Sequence, residues 1–206
     1  MNDIEIIEAF EATIAEYAGA KYGVAVSSGT NAIFLCLQLL KYEYGLRDYD
    51  VITIPKRTYI SVPCSIKNCK LEIKFDDIEW SGLYQLKPTD IWDSTVRFRK
   101  GMYLGDDVLQ CLSFQYRKHL PIGRGGMILT DSKNDMEWLK QARHDGKHPG
   151  ISKWEDKLEI AGWSMYMLPE QCARGLTLFN AIKDKDLPDC ACWKDYPDIS
   201  KQKIFQ

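Results

Sequence analysis

The amino-acid sequence predicts an α/β protein with a mostly parallel sheet flanked by helices. Short apolar runs of strand length alternate along the chain with longer segments of helical periodicity, the order that builds parallel sheets. Several of these runs stop at serine, proline or aspartate, residues that end a strand and open a loop. In such sheets ligands bind at the carboxyl ends of the strands, so the loops that follow the strands are the first places to search for function.

The first half of the chain contains three predicted strands and three predicted helices. An amphipathic helix covers residues 3–18, because apolar residues recur there at helical spacing and Gly19 ends the pattern. The predicted strands are 22–26, 51–54 and 71–75, and the other two helices are 31–44 and 58–67. Pro63 must kink or shorten the helix that contains it.

The second half begins with a short predicted strand at 89–92 that leads into Asp93. Strands at 108–114 and 127–130 flank a loop rich in glycine and basic residues, and helices are predicted at 133–145 and 168–182. We therefore expect one domain over residues 1–185, followed by a polar, proline-containing tail over 186–206.

Composition limits the classes of function. The 206 residues are 45% hydrophobic and 27% charged, ordinary values for a globular domain, and the net charge of −2 argues against nucleic acid or an anionic membrane as partner. No apolar stretch reaches the roughly 18 residues of a membrane span, and the acidic N-terminus does not resemble a signal peptide. Seven scattered cysteines favour reduced thiols. We expect a cytoplasmic protein.

The segment Ser27–Asn31 ends one predicted strand and opens directly into a helix. Such a turn presents free backbone N–H groups, small hydroxyls and the positive end of a helix dipole, which together suit a phosphate group. The alternative is a plain N-cap, in which a serine, threonine or asparagine satisfies the first N–H groups of the helix without any ligand. This segment alone does not decide between them.

Asp93 lies just past a buried strand, in the sequence IWDST. A carboxylate there can pair with a protonated ring nitrogen and keep a pyridinium cationic, so that the ring withdraws electrons. The alternative is a cap or an Asx-turn, an ordinary role for an aspartate after a strand.

The segment SFQYRKHLPIGRGGMILT places Lys118 shortly after Ser113 and before a glycine-rich turn. A lysine at the edge of a sheet beside a phosphate site can form an imine with an aldehyde cofactor. We expect the flanking cations Arg117, His119 and Arg124 to help keep this lysine neutral. The alternative is a solvated basic loop, the usual environment of a lysine.

The order of these segments resembles the DegT/DnrJ/StrS-type sugar aminotransferases, which use pyridoxal 5'-phosphate and share the aspartate aminotransferase fold. The matching segments, in chain order, are FEATIAEYAGAKYGVAVSSGTNAI, VITIPKRTYISVPCSI, IWDST, SFQYRK, GRGGMILTD, ARHDGK and AGWSMYMLPEQCARGLTLFNAI. The resemblance implies the large domain of a fold-type I enzyme that moves an amino group from an amino acid, typically glutamate, to a nucleotide-linked keto sugar.

The resemblance also implies a set of cofactor residues. Those placed on the phosphate are Ser28, Gly29, Thr30, Asn31 and Ser113. Tyr59 would stack on the ring, Asp93 would pair with its nitrogen, and Lys118 would bond to the aldehyde and carry protons to and from the substrate. Ser164 takes the place of an asparagine that reaches the partner subunit's phosphate, so a homodimer with the active site at its interface is implied. Candidates for that interface, and equally for the core, are Tyr17, Tyr22, Trp163, Tyr166 and Phe179.

The sequence departs from the family pattern at several positions. Val96 stands where histidine or glutamine is usual and cannot hydrogen-bond to the ring substituents, and Ser164, Tyr166 and Arg124 are further substitutions. Only residues 78–92 link the third strand to Asp93, where the family has several more elements. The small C-terminal domain, which closes over the substrate, has no counterpart in this sequence, so we expect an open cofactor site.

Two functions therefore compete: a pyridoxal-phosphate-dependent aminotransferase, and a non-catalytic binding or assembly module with the same fold. Retention of Asp93, Ser113 and Lys118 favours the first, whereas Val96 and Ser164 favour the second. We expect no metal site, because the spacing of Cys190 and Cys192 with His144 or His148 is not that of a zinc site.

Overall fold

The computed structural model, which describes residues 2–106 and 108–205, places helices on both faces of a central sheet. The helices are α1 (Asp3–Ala18), α2 (Gly29–Glu43), α3 (Ser61–Asn68), α4 (Lys133–Ala142) and α5 (Pro169–Asn180). The strands are β1 (Tyr22–Val26), β2 (Val51–Pro55), β3 (Glu72–Asp76), β4 (Tyr84–Leu86), β5 (Ile91–Asp93), β6 (Leu109–Ser113) and β7 (Gly126–Thr130). Two short 3₁₀ helices follow, Trp193–Asp195 and Lys203–Phe205.

The α/β architecture is confirmed, but the main sheet is mixed rather than mostly parallel. Its five strands lie in the order β1-β7-β6-β5-β4, and only β5 and β6 pair in parallel; the other three pairings are antiparallel. Strands β2 and β3 form a separate parallel pair. Residues 87–90, which connect β4 to β5, are too few for the crossover that parallel pairing needs, so these two strands run antiparallel.

Alternate side chains of the sheet enter two separate cores. In β1, Val24 and Val26 face the core formed with α2, α3 and α4, whereas Ala25 faces the core formed with α1 and α5. The same alternation occurs in β7, where Ile128 faces the first core and Met127 the second. This period of two is the reason that short, wholly apolar runs in the sequence become central strands.

Local signals in the sequence set the bounds of the first helices. Asn2 and Glu5 form a reciprocal capping box at the start of α1, and Gly19 ends the helix in the left-handed region with φ of 87°. Helix α2 begins at Gly29, slightly earlier than predicted, because Ser28 is its N-cap. Pro63 falls in the first turn of α3, where its missing N–H has no partner within the helix, so it does not kink the helix.

Residues 186–205, which we call the tail segment, fold back onto the sheet domain. Its contacts are a bidentate ion pair between Arg97 and Asp189, a hydrogen bond from the N–H of Cys190 to the carbonyl of Val96 (2.9 Å), and bridges from Cys192 to Ser81 and from Asp198 to Arg57. Ile199 is buried within it. The tail segment thus crosses the carboxyl ends of β5 and β2 despite its polar composition.

Three of the aromatic residues considered for an interface pack inside this chain. Tyr17 and Phe179 lie in the core beside α1, with ring centroids 5.0 Å apart, and Trp163 packs against Phe34 at 5.3 Å. Tyr166 is partly exposed.

Among the residues that the structure describes, no helix is both long and apolar enough to cross a bilayer.

Candidate functional site

A cavity of about 190 Å³ lies at the edge of the sheet where β1, β5 and β6 end and α2 begins. Seven of the nine predicted site residues line it: Ser28, Gly29, Thr30, Tyr59, Asp93, Ser113 and Lys118. They come from five separate parts of the chain. The fold brings them together because β1, β5 and β6 run in the same direction, so their carboxyl ends meet at one edge of the sheet. The other two predicted residues, Asn31 and Ser164, do not line the cavity.

The N-terminus of α2 forms one end of the cavity. The Ser28 hydroxyl accepts a hydrogen bond from the N–H of Asn31 at 3.1 Å, so Ser28 is an N-cap. The hydroxyl of Thr30 donates to that of Ser61 (2.8 Å), and the side-chain amide of Asn31 donates to the Ser27 hydroxyl (2.7 Å). The cap and the phosphate site are therefore compatible, because the cap uses the N–H of Asn31 and not those of the two residues before it.

Two glycines allow the backbone to pack closely at this end. A Cβ on Gly126 would lie 2.5 Å from the carbonyl carbon of Ser28, so β7 passes directly beneath the loop before α2. A Cβ on Gly29 would lie 3.0 Å from the Cβ of Ser113. This contact places the Ser113 side chain against the first turn of α2, where it was predicted to bind phosphate. The glycine-rich turn after Lys118 thus serves the close approach of the backbone.

Asp93 also lines the cavity and is 5% exposed. Its Oδ1 accepts a hydrogen bond from the N–H of Thr95 at 2.9 Å, which is the Asx-turn that the sequence left open. Its Oδ2 accepts a hydrogen bond from the Tyr84 hydroxyl at 2.7 Å, and that hydroxyl also contacts the hydroxyl of Thr58. The carboxylate therefore has a structural role and also faces a cavity.

Lys118 also lines the cavity. Burial lowers its pKa below the usual lysine range, and the nearby Cys190 and Asp93 oppose that shift. The flanking cations, which we expected to act on it, have other partners: Arg124 donates to the carbonyl of Ser27 (3.2 Å), and the guanidinium of Arg117 lies 5.3 Å from the ring of Tyr116. Burial, and not the flanking cations, therefore lowers the pKa of Lys118 and makes its amine a candidate for imine formation.

The remaining predicted residues differ in how the structure places them. Tyr59 lines the cavity and is 53% exposed. Val96 is buried in the core. Ser164 forms an isolated antiparallel bridge with His144 and does not line the cavity. Its contact with the phosphate of a partner subunit stays a prediction.

Sequence reasoning missed Tyr84, Thr58, Ser61 and Thr95. Thr95 and Ser61 line the cavity. They follow the predicted residues Asp93 and Tyr59 closely in the sequence, and this proximity could have identified them. Tyr84 had no such signal, because it lies in a stretch of the chain without visible periodicity.

The side chains present fit pyridoxal 5'-phosphate. A helix N-terminus with small hydroxyls suits the phosphate, a buried carboxylate suits a protonated ring nitrogen, and a partly buried amine with a lowered pKa suits the aldehyde. All of them face one cavity.

The fold is similar to that of aminotransferases of known structure, one of which is described below. The model of the DegT/DnrJ/EryC1/StrS aminotransferase family matches residues 4–102, a little under half of this chain.

Among curated proteins, the GDP-perosamine synthase of Caulobacter vibrioides is 22% identical over 220 positions, covering 85% of this chain and 56% of the relative. Among solved structures, the aminotransferase TlmJ from Streptoalloteichus hindustanus has a TM-score of 0.70 at 20% identity, over 86% of this chain and 58% of that one. The E. coli GDP-4-keto-6-deoxy-D-mannose-3-dehydratase with bound hydrated PLP has a TM-score of 0.69 at 18% identity, over 85% and 60%. The chain thus spans little more than half the length of the proteins it matches.

Proposed function

We propose that this chain binds pyridoxal 5'-phosphate at Lys118 and serves in the transfer of an amino group from an amino acid, such as glutamate, to a nucleotide-linked keto sugar. The observation that carries the proposal is the meeting of Lys118, Asp93 and Ser113 with the start of α2 around one cavity. A solvated basic loop or an isolated N-cap would not bring these groups together. The named relatives supply the substrate class, which is a proposal for this chain.

When bound, the cofactor supplies an aldehyde for covalent attachment and a ring that accepts electrons from the substrate. Ser113, Thr30 and the N–H groups of the first turn of α2 would hold the phosphate. Asp93 would hold the ring nitrogen, and Tyr59 would cover the ring. Lys118 would supply the amine to which the cofactor binds, and would hold and return a proton beside the substrate.

The lowered pKa of Lys118 is suited to this role. An amine attacks a carbonyl only in its neutral form, and a lower pKa raises the neutral fraction at any pH below the usual lysine range. The same partial burial limits the access of bulk water to the amine, so a proton that it takes from the substrate would be less easily lost to solvent.

A homodimer is part of the proposal. Tyr59 lines the cavity and is 53% exposed, and Ser164 is not among the residues that line the cavity. A second subunit across a two-fold axis would cover the mouth and bring a polar residue toward the phosphate. The mass of the protein in solution, with and without cofactor, tests this part by itself.

The second candidate, a non-catalytic module of the same fold, is favoured by one specific observation. Val96 is buried in the core and offers no hydrogen bond to the ring, whereas the family usually has a polar side chain at that position. Such a module would bind the cofactor and transfer no amino group.

A borohydride experiment tests the proposal. The protein is incubated with pyridoxal 5'-phosphate, reduced to fix any covalent bond to an amine, digested and analysed by mass spectrometry. We expect a single modified peptide containing Lys118, and no modification at that position in Lys118→Ala. The exposed Lys21 is the matched control, since Lys21→Ala should leave the modification unchanged.

Modification spread over several exposed lysines, or none at Lys118, would contradict cofactor binding. Modification at Lys118 without transfer of the amino group from labelled glutamate to nucleotide-linked keto sugars would favour the non-catalytic module.

A further inference from the structure

Three polar side chains form a buried chain of hydrogen bonds behind the cavity. Tyr84 lies in β4, directly opposite Asp93 of β5, and its hydroxyl is 2.7 Å from Oδ2 of Asp93. The same hydroxyl contacts that of Thr58, which follows β2. All three residues are at most 5% exposed.

The chemistry of the groups decides the direction of each hydrogen bond. An ionised carboxylate only accepts, so the Tyr84 hydroxyl donates to Asp93. Burial raises the pKa of Tyr84 well above the usual tyrosine range, so the phenol keeps its proton and remains a donor. With its proton committed to Asp93, the phenol oxygen accepts from Thr58. The order of donation is therefore Thr58 to Tyr84 to Asp93.

This chain determines how Asp93 meets a ligand. The N–H of Thr95 holds Oδ1 at 2.9 Å, and Tyr84 holds Oδ2, so both oxygens have one fixed donor and the plane of the carboxylate is set. A carboxylate accepts about four hydrogen bonds, which leaves capacity for a donor inside the cavity that Asp93 lines. A stronger donor at Tyr84 leaves less negative charge on Oδ2 for that ligand.

The ring of Tyr84 is itself held by packing. Its centroid lies 5.0 Å from that of Trp80, and the indole N–H of Trp80 donates to the carbonyl of Arg57 at 2.9 Å. A substitution that removes only the hydroxyl of Tyr84 therefore leaves its ring packed against Trp80.

We propose that Tyr84, backed by Thr58, is a positioning residue that sets the hydrogen bond between Asp93 and the protonated ring nitrogen of the cofactor, and with it the electron-withdrawing strength of the ring. The inference rests on the proposed function. It adds residues that act through Asp93, contributed by β4 and by the end of β2.

The test is Tyr84→Phe, which keeps the ring and removes the hydroxyl. Pyridoxal 5'-phosphate labelled with ¹⁵N in the ring is bound to both proteins, and the chemical shift of that nitrogen is measured with the binding affinity. We expect about tenfold weaker binding, because Asp93 loses the donor that fixes its orientation, and a changed nitrogen shift, because more negative charge remains on Oδ2. A purely structural role of Tyr84 would lower thermal stability and leave the nitrogen shift unchanged.

Tyr17→Phe is the matched control. It removes another buried tyrosine hydroxyl, in the other core and away from the cavity, and should change neither affinity nor nitrogen shift. Thr58→Val is the second variant, which keeps the inference testable if Tyr84→Phe does not fold. It should move the shift in the same direction by a smaller amount, since it acts through one more hydrogen bond.

Two failures are distinguishable. If the unaltered protein does not bind the cofactor at Lys118, both the proposed function and this inference are wrong. If it binds, and neither Tyr84→Phe nor Thr58→Val changes the nitrogen shift relative to Tyr17→Phe, the proposed function stands and the role of Tyr84 is overturned.

Discussion

The phosphate end and the ring end of the site, named for the group that each is expected to bind, are built in different ways. The phosphate end consists of consecutive residues at one strand–helix junction, Ser28 to Thr30, with the glycine backbone of β7 beneath them. The ring end joins Thr58, Tyr84 and Asp93, which come from three separate strands or their ends. The first depends on backbone shape that local sequence dictates, and the second on side chains that meet only in the folded protein.

The two ends therefore differ in the amino-acid substitutions that they can tolerate. Backbone N–H groups at a helix start cannot be changed by substitution, so the phosphate end is sensitive mainly to residues that displace the backbone. The ring end is sensitive to single polar atoms, because a buried carboxylate that loses a donor has no water to replace it.

Gly126→Ala should break the phosphate end and have the largest effect. The added Cβ would lie 2.5 Å from Ser28 and must move the loop before α2, and a shift of that kind can cost about hundredfold in cofactor affinity. Equilibrium binding of pyridoxal 5'-phosphate measures the effect. Gly45→Ala is the control: its φ of 77° makes it strained, but its Cβ meets no atom within 4 Å, so stability should fall while cofactor affinity does not. Equal affinities in the two variants would mean that the close approach at Gly126 is irrelevant to the cofactor.

Asp93→Asn should weaken the ring end by less. It keeps the shape and removes the charge, and a hydrogen bond between charged groups contributes about 1.5–3 kcal/mol, equivalent to about ten- to hundredfold in affinity. Asp135→Asn is matched in burial, at 5% exposed, and lies outside the cavity against Tyr44, so the cofactor should bind it normally. Titration of both variants checks the difference. An Asp93→Asn protein with full affinity would show that the ring nitrogen does not bind at Asp93.

Asp189→Asn should have the smallest effect on the cavity and a local effect on the tail segment. It weakens the bidentate pair with Arg97, at a cost of about 1 kcal/mol, and should speed amide exchange at Cys190, whose N–H bonds to Val96. The hydrogen bond from Arg97 lowers the pKa of Asp189. The pair therefore contributes fully above the ordinary carboxyl pKa, and its contribution is lost as the pH falls through the lowered one. A protection factor of the Cys190 amide in the unaltered protein that does not fall on acidification would contradict this assignment.

The same comparison explains which features the sequence could predict. Caps, glycines and apolar periodicity are local signals, and they predicted helix α1 and the unit from β1 to α2. The residues Asp93, Ser113 and Lys118 were also predicted, because they follow apolar runs of strand length. Strand β4 was missed because its 3 residues lie in a stretch without visible periodicity, whereas the equally short β5 ends at Asp93. We expected a mostly parallel sheet because strands and helices alternate along the chain. That rule does not account for strands joined directly by a loop, such as β4 and β5, which pair antiparallel.

The surroundings of Lys118 and Asp93 could not be predicted for a different reason. Both depend on long-range packing: Lys118 on burial near Cys190 of the tail segment, and Asp93 on a tyrosine from an unpredicted strand. The composition of residues 186–206 gave no indication that this segment packs against the sheet, since its apolar residues are scattered singly. Gln206 itself lies outside the described residues.

The path of the tail segment has a consequence for biosynthesis. Trp80, which packs against Tyr84, is covered in turn by Tyr196, with ring centroids 5.6 Å apart, and its carbonyl accepts the N–H of Trp193 at 3.0 Å. A ribosome makes residues 1–185 before these aromatic groups emerge, so the nascent sheet carries an uncovered Trp80 until the segment docks. During that interval the newly made chain exposes apolar surface beside the unfinished ring end, and molecular chaperones have their greatest opportunity to bind it.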